Sequence, residues 1–299
     1  MKKKQSIKVI IDTDIGGDID DVLALAIALN SPEIELKAVT TVNTDPFIRA
    51  RIAAKMLKVF NKAQIPVAAG EKRMFDGSST KCKDINGAVV LTLKDPVPER
   101  NGVDLMIETV KKNPEEIVII GIGCWTNIAK AFSKAPDIMN KVKKLVLMGG
   151  KVYSPKPESN VICDPSAASY IFNLSVPKML VPLDVTSQCR YRIENHGQLI
   201  KKGEDTTNFI FDSLRAWQIG RNNGNPKAEP ILHDPLAVAL SFEDSFINKI
   251  EPLHLELDYN DKYEKALTIP KKNKEPNINV VTSIKKEEFE SFFAKRILG

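Results

Sequence analysis

The chain is 299 residues long, 43% hydrophobic and 27% charged, which is the balance of a folded soluble protein and enough length to bury most of its apolar surface in one core. Its 43 basic and 38 acidic residues leave a net charge of +5. With no basic stripe interleaved with aromatics, nucleic acid is not an expected partner. After Lys2-Lys3-Lys4 the apolar run is only Val9-Ile10-Ile11, short of the roughly 7–15 residues of a secretory leader. No stretch approaches the roughly 20 apolar residues of a membrane span. A cytoplasmic location without a membrane partner is expected. Cys82, Cys124, Cys163 and Cys189 lie far apart with no CxxC spacing. Reduced thiols are expected rather than a disulfide framework or zinc site, with a pairing in space left open.

In chain order, Lys8-Val9-Ile10-Ile11 reads as a strand that ends in acidic and glycine residues, and residues 22–29 as a buried helix. Residues 34–42 give a second strand, 49–60 a helix and 65–68 a short strand. Residues 117–120 give a buried strand, followed by a helix over 126–133. Leu145-Val146-Leu147-Met148 and Met179-Leu180-Val181 repeat the strand theme. Residues 96–101 and 151–157 read as loops, and 271–277 as a turn between two C-terminal strands. Short strands apolar on both faces, alternating with helices, predict one α/β domain over residues 1–299 with a mostly parallel, doubly wound central sheet. Ligands of such folds gather at the carboxyl ends of strands. That directs attention to Asp12-Thr13-Asp14-Ile15-Gly16-Gly17-Asp18-Ile19-Asp20-Asp21, Asn43-Thr44-Asp45, Gly121-Ile122-Gly123, Gly149-Gly150 and Asp184.

The loop after the first strand holds five aspartates within ten residues. Like charges this close repel unless neutralised, and a hard divalent cation with oxygen ligands is the natural partner. Helix capping by Asp18 or Asp20 accounts for one or two of the five. An EF-hand needs a side-chain ligand where Gly16 stands and an entering helix before Asp12, and both are missing. A magnesium-dependent phosphatase with Asp12 as nucleophile is a competitor, weakened by Gly16. Far downstream, Leu232-His233-Asp234-Pro235 precedes an apolar helix. Asp234 as cap and Pro235 as first helical residue is sound capping chemistry, but it leaves His233 unexplained. His233 is one of only three histidines, with His196 and His254. A histidine beside a possible metal ligand is a candidate acid.

Taken together these residues resemble the inosine–uridine-preferring nucleoside hydrolases, nearly end to end. The resemblance lies in the Asp-Thr-Asp…Asp-Asp opening and its helix, Ala38-Val39-Thr40-Thr41-Val42 and Ile65-Pro66-Val67-Ala68-Ala69-Gly70. It continues through Gly123-Cys124-Trp125-Thr126-Asn127-Ile128-Ala129, Met148-Gly149-Gly150, Glu158-Ser159-Asn160 with Asp164-Pro165, Val181-Pro182-Leu183-Asp184-Val185-Thr186, and Leu232-His233-Asp234-Pro235. It implies calcium-dependent hydrolysis of the ribose–base bond of a nucleoside by a homodimer or homotetramer. Asp14 would bind Ca²⁺ and act as general base on a calcium-bound water. Asp21, Asp234 and the Ile122 carbonyl would complete the calcium site. Asp20, Asn43, Glu158 and Asn160 would hold the ribose, and His233 would assist the departing base.

The chain also departs from the family pattern. The acidic loop is longer than usual, so Asp18 competes with Asp20. Asp20-Asp21 is preferred because the helix follows directly. The loop from Gly150 to Glu158 lacks the usual Gly-Asn, and Tyr153 is a candidate substitute ribose contact. Asn86-Gly87 stands for a usual His-Gly, and Ser187 where a histidine is common. Trp125 and Trp217 are candidates for stacking on the base, with core positions as the competing reading. Arg215, Arg221, Asn222 and Asn223 accompany Trp217 in a possible lid. Because the substrate loops are altered, a non-catalytic nucleoside- or ribose-binding protein is carried as an alternative.

Overall fold

The computed structural model describes residues 6–80, 82, 100–154, 156–221, 223–259 and 266–299. Among the described residues ten strands form: β1 (Ile7–Thr13), β2 (Ile34–Thr41), β3 (Val67–Ala69), β4 (Ile117–Gly121), β5 (Lys144–Met148), β6 (Lys178–Val181), β7 (Ile247–Leu253), β8 (Leu255–Tyr259), β9 (Ala266–Pro270) and β10 (Ile278–Ile284). Eight of them make one sheet in the order β3-β2-β1-β4-β5-β6-β10-β7. Every neighbouring pair is parallel except β10 with β7. β8 and β9 form a separate antiparallel pair, and residues 271–277 turn from β9 into β10 as the sequence predicts.

The side-chain alternation of the strands supplies two cores. Val9 and Ile11 of β1, with Val118 and Ile120 of β4, pack on one face against the helices Asp20–Leu29, Pro46–Val59, His233–Leu240 and Lys286–Arg296. Ile10, Ile117, Ile119, Leu145 and Leu147 pack on the other face against Gly102–Lys112, Thr126–Lys134 and Pro165–Phe172. With both faces covered, the strands must be apolar throughout, and this is why they are legible as continuous apolar runs. The fold is a single-domain, mostly parallel α/β sheet wound on both faces.

From β1 the chain builds outward through β2 and β3, then returns to the other side of β1 and continues through β4, β5 and β6. The direction of winding therefore reverses between β1 and β4. Loops leaving these two strands diverge and open a crevice at their carboxyl ends. Asp14 leaves β1 there and Ile122 leaves β4. Gly123 lets the two backbones approach: a Cβ on it would stand 2.9 Å from Asp14 N.

The cysteine expectation needs correcting. Cys82 and Cys163 are joined by a disulfide with Cα atoms 5.4 Å apart and a sequence separation of 81, while Cys124 and Cys189 are free and buried. Sequence spacing concealed this pair because the two residues meet only through the packing of the segment after β3 against the helix Ser159–Cys163. Asn86-Gly87, Asn222 and the prolines of residues 96–99 lie outside the described residues. Among the described residues no helix is long and apolar enough to cross a membrane.

Candidate active site

The crevice is a cleft of ≈370 Å³, within the size range of small-ligand sites. Asp14, Asp18, Asp20, Asp21, Asn43, Ile122, Glu158, Asn160, His233 and Asp234 all line it. The fold thus gathers these residues into one place, although they come from five separate segments.

At its floor, Asp20, Asp21 and Asp234 each present a carboxylate oxygen within 4.8 Å of the other two. All three are buried. Asp20 and Asp21 open the helix Asp20–Leu29, and Asp234 opens His233–Leu240; these helices pack side by side on one face of the sheet. Burial, reinforced by the neighbouring carboxylates, holds all three far above the ordinary carboxylate range. Thr13 Oγ1 donates a short hydrogen bond to Asp21 Oδ1. Asp234 Oδ1 has no hydrogen-bond partner among the described residues. An unpartnered buried carboxylate oxygen facing two more carboxylates is costly unless a cation compensates it. The donor set, all hard oxygens, fits a divalent metal ion. Asp20, expected at the ribose, stands near enough to share that ion.

Above this floor the remaining polar groups are held by named partners. Asn43 Nδ2 lies 3.3 Å from Asp14 Oδ2. Its backbone is left-handed at φ 76°, a conformation asparagine tolerates better than most residues. Glu158 caps the helix Ser159–Cys163, accepting from the backbone N–H groups of Asn160, Val161 and Gly150 at 2.9, 3.1 and 2.8 Å. Burial raises its carboxyl despite these bonds. Asn160 Nδ2 donates to the carbonyl oxygens of Ile122 and Met148 at 2.9 and 3.2 Å. His233 Nδ1 is 2.7 Å from Thr186 Oγ1. Burial pushes its imidazolium down to about 4, with Asp18 opposing the shift.

These features match a known family. A family model described as inosine-uridine preferring nucleoside hydrolase matches residues 9–291. The chain belongs to that family. It is a nucleoside hydrolase, an enzyme acting on N-glycosyl bonds. The pyrimidine-specific ribonucleoside hydrolase RihA of Escherichia coli O7:K1 (strain IAI39 / ExPEC) is 25% identical over 309 residues, covering 98% of each chain. Among solved structures, a purine-preferring ribonucleoside hydrolase from Gardnerella vaginalis superposes with a TM-score of 0.86 at 26% identity, over 98% of each chain. A plant nucleoside hydrolase shares the fold with a TM-score of 0.86 at 24% identity, over 98% of this chain and 99% of its own.

Several expectations about this nucleoside hydrolase change once its side chains are placed. Asp18 sits at the mouth, its carboxylate 3.2 Å from Arg221 Nη1, whereas Asp20 belongs to the buried cluster. Asp12 is fully buried and is not part of the pocket lining. Its Oδ1 accepts from Thr40 Oγ1 at 2.6 Å and Asn127 Nδ2 at 2.7 Å, and burial raises its carboxyl to about 7. Asp12 ties β1 to its neighbours and has no access to a phosphate ester, so the phosphatase reading is set aside. Trp125 is 1% exposed and packs in the core on Phe172, and Trp217 is 7% exposed in the opposite core. Neither lines the cleft. Tyr153 is 56% exposed and also stands outside it. Asp184 is structural: its carboxylate accepts from the backbone N–H groups of Val152 and Tyr153 at 2.7 and 3.2 Å.

Arg49 stands in none of the segments that carry the resemblance, while Asn127 and Thr186 stand in them with no role assigned; all three support the site. Arg49 is 1% exposed. Its Nη1 donates to the carbonyl of Asp14 and, at 3.2 Å, to that of Ile15, while Nη2 reaches Thr44 Oγ1 at 3.0 Å. It thereby pins the acidic loop from beneath, and its charge favours ionisation of Asp21. Nothing in the local pattern of the helix Pro46–Val59 separates buried Arg49 from the half-buried or exposed Arg51, Lys55 and Lys58. Thr186, beside the Ser187 that drew attention, holds His233, and Asn127 fastens Asp12 as already described.

Proposed function

We propose that the chain hydrolyses ribonucleosides to ribose and free base in a Ca²⁺-dependent reaction, with Asp14, Asp21, Asp234 and the Ile122 carbonyl as the metal site. The observation carrying this reading is the buried Asp20/Asp21/Asp234 cluster with its unpartnered Asp234 oxygen. Calcium suits it because that ion accepts many oxygen ligands in flexible geometry, including carbonyls. When bound, the ion would supply Lewis acidity to a water and to the ribose hydroxyls.

The chain's own residues do the rest. Asp14 takes the proton of the attacking water. Asn43, 3.3 Å away, orients the Asp14 carboxylate and faces the sugar. Asp20, Glu158 and Asn160 hold the ribose hydroxyls, Asp20 also standing within reach of the metal. Positive charge builds on the sugar as the bond breaks, and the carboxylate floor favours that charge electrostatically. His233, neutral at pH 7 because of its burial, assists as a hydrogen-bond donor to the departing base rather than as an imidazolium. Thr186 on Nδ1 leaves Nε2 as the ring atom for that contact.

Relatives divide between pyrimidine and purine nucleosides, so base preference is read from a panel. Common nucleosides incubated with Ca²⁺ and followed by chromatography should release free base and ribose. Nucleoside binding by calorimetry without base release over long incubation would instead establish a non-catalytic binding protein. A homodimer or homotetramer is the expected assembly, tested by sedimentation; a monomer at micromolar concentration would exclude it.

A further inference from the structure

Cys82 and Cys163 both line the cleft, and the bond between them joins two of its walls. Cys82 stands on the segment that follows β3. Cys163 ends the short helix Ser159–Cys163, which carries Asn160 and is capped by Glu158. Cys163 Sγ lies 3.9 Å from Asn43 Nδ2, the amide that also stands 3.3 Å from Asp14 Oδ2. One side chain therefore separates the disulfide from the proposed base.

The two walls are also joined by contacts that do not involve sulfur. Thr80 Oγ1 donates to the Cys163 carbonyl at 3.1 Å, and Phe75 N to Asp164 Oδ2 at 2.7 Å. The Phe75 and Tyr170 rings pack at a tilt of 43° with centroids 4.9 Å apart. Reduction leaves these in place and acts on the sulfur pair alone. Bonded sulfurs sit about 2 Å apart, whereas two thiols need van der Waals spacing of roughly 3.5–4 Å. After reduction the sulfurs must move apart, and Cys163 Sγ already touches the Asn43 amide at 3.9 Å.

We propose that the Cys82–Cys163 bond is a redox-sensitive positioning device: its reduction by a dithiol loosens Asn43 and the Asn160 helix and weakens ribose binding. This rests on the nucleoside reading of the cleft. One dithiol transfers two electrons and two protons, yielding two cysteine thiols and the oxidised, disulfide form of the reductant. Cys124 packs in the same small cluster as the pair. It is free and buried, and the bond lies between Cys82 and Cys163.

The full-length protein purified without reductant, then denatured and alkylated, should show two free thiols by intact mass, and all four cysteines after dithiothreitol. Reduction should raise KM for uridine or inosine roughly 3–10-fold, the scale of one weakened polar contact, and should lower kcat as well, because Asn43 also positions the Asp14 carboxylate. Ribose affinity by calorimetry should fall in parallel; it is read without turnover and so decides the proposal even if no nucleoside is cleaved in either state. Cys82→Ser should carry the raised KM and weakened ribose affinity and be indifferent to dithiothreitol. Four thiols before reduction, unchanged ribose affinity after it, or a Cys82→Ser protein that responds to dithiothreitol like the wild type would overturn the proposal.

Discussion

The Asn160 side chain donates to the carbonyl oxygen of Ile122 across 2.9 Å, linking a residue on the Glu158-capped helix to the carboxyl end of β4. Through this bond the ribose wall and the proposed metal site share one support. Asn160→Ala is expected to raise KM by about tenfold, the scale of one or two lost hydrogen bonds. It should also weaken Ca²⁺ binding in a direct titration. A loss of ribose affinity with unaltered Ca²⁺ affinity would show that the carbonyl needs no such support.

Asp14→Ala removes the proposed base and one metal ligand together. Turnover should fall by at least roughly 10³-fold, within the range for losing a positioned general base. Steady-state kinetics at saturating Ca²⁺ is the check, and near-normal kcat in the variant would refute the assignment.

Without Ca²⁺, stability should fall as pH rises, and Ca²⁺ should offset that fall. Asp20, Asp21 and Asp234 are held well above their ordinary carboxyl values by burial, and Asp12 is raised to about 7. A raised carboxyl binds more protons in the folded than in the unfolded chain. Its stabilising contribution is full below the unfolded value and is lost as pH rises through the folded one. The chelated protein should therefore lose melting temperature between about pH 4 and 7 relative to a chain with unshifted carboxyls. Added Ca²⁺ should raise the melting temperature most at the alkaline end, where the cluster is charged. Identical melting curves in chelator and Ca²⁺ across this range would remove the metal site.

His233→Ala should slow nucleosides with poor leaving groups more than a nitrophenyl riboside, whose leaving group needs no help. Because burial lowers the imidazolium to about 4, the wild-type rate should show no inflection from this residue between pH 6 and 8. Equal losses on both substrates would argue against any role at the departing base.

Arg49→Ala leaves the carbonyls of Asp14 and Ile15 without their buried donor and removes the cation beside Asp21. A loss of roughly 3 kcal/mol in urea unfolding is expected, the scale for stripping one partner from a buried polar network, together with reduced kcat as the acidic loop relaxes. Wild-type stability in this variant would mean the loop holds its shape unaided.

The amino-acid sequence alone determined the layered α/β architecture, because a strand covered on both faces must be apolar at every position, and the runs at β1, β4 and β5 satisfy that requirement locally. It also marked the acidic loop, since a concentration of aspartates at a strand end is unfavourable without a counter-ion wherever the rest of the chain lies. Tertiary structure decided which groups meet. Whether Asp18 or Asp20 joins Asp21 and Asp234 depends on where the loop turns into its helix, and the start of that loop is pinned by Arg49 from another helix. The burial of Trp125 and Trp217, the withdrawal of Asp12 beneath the cleft and the union of Cys82 with Cys163 are likewise products of long-range packing. Contacts between residues distant in the chain leave no periodicity to read, because each depends on how whole elements stack rather than on the residues beside it.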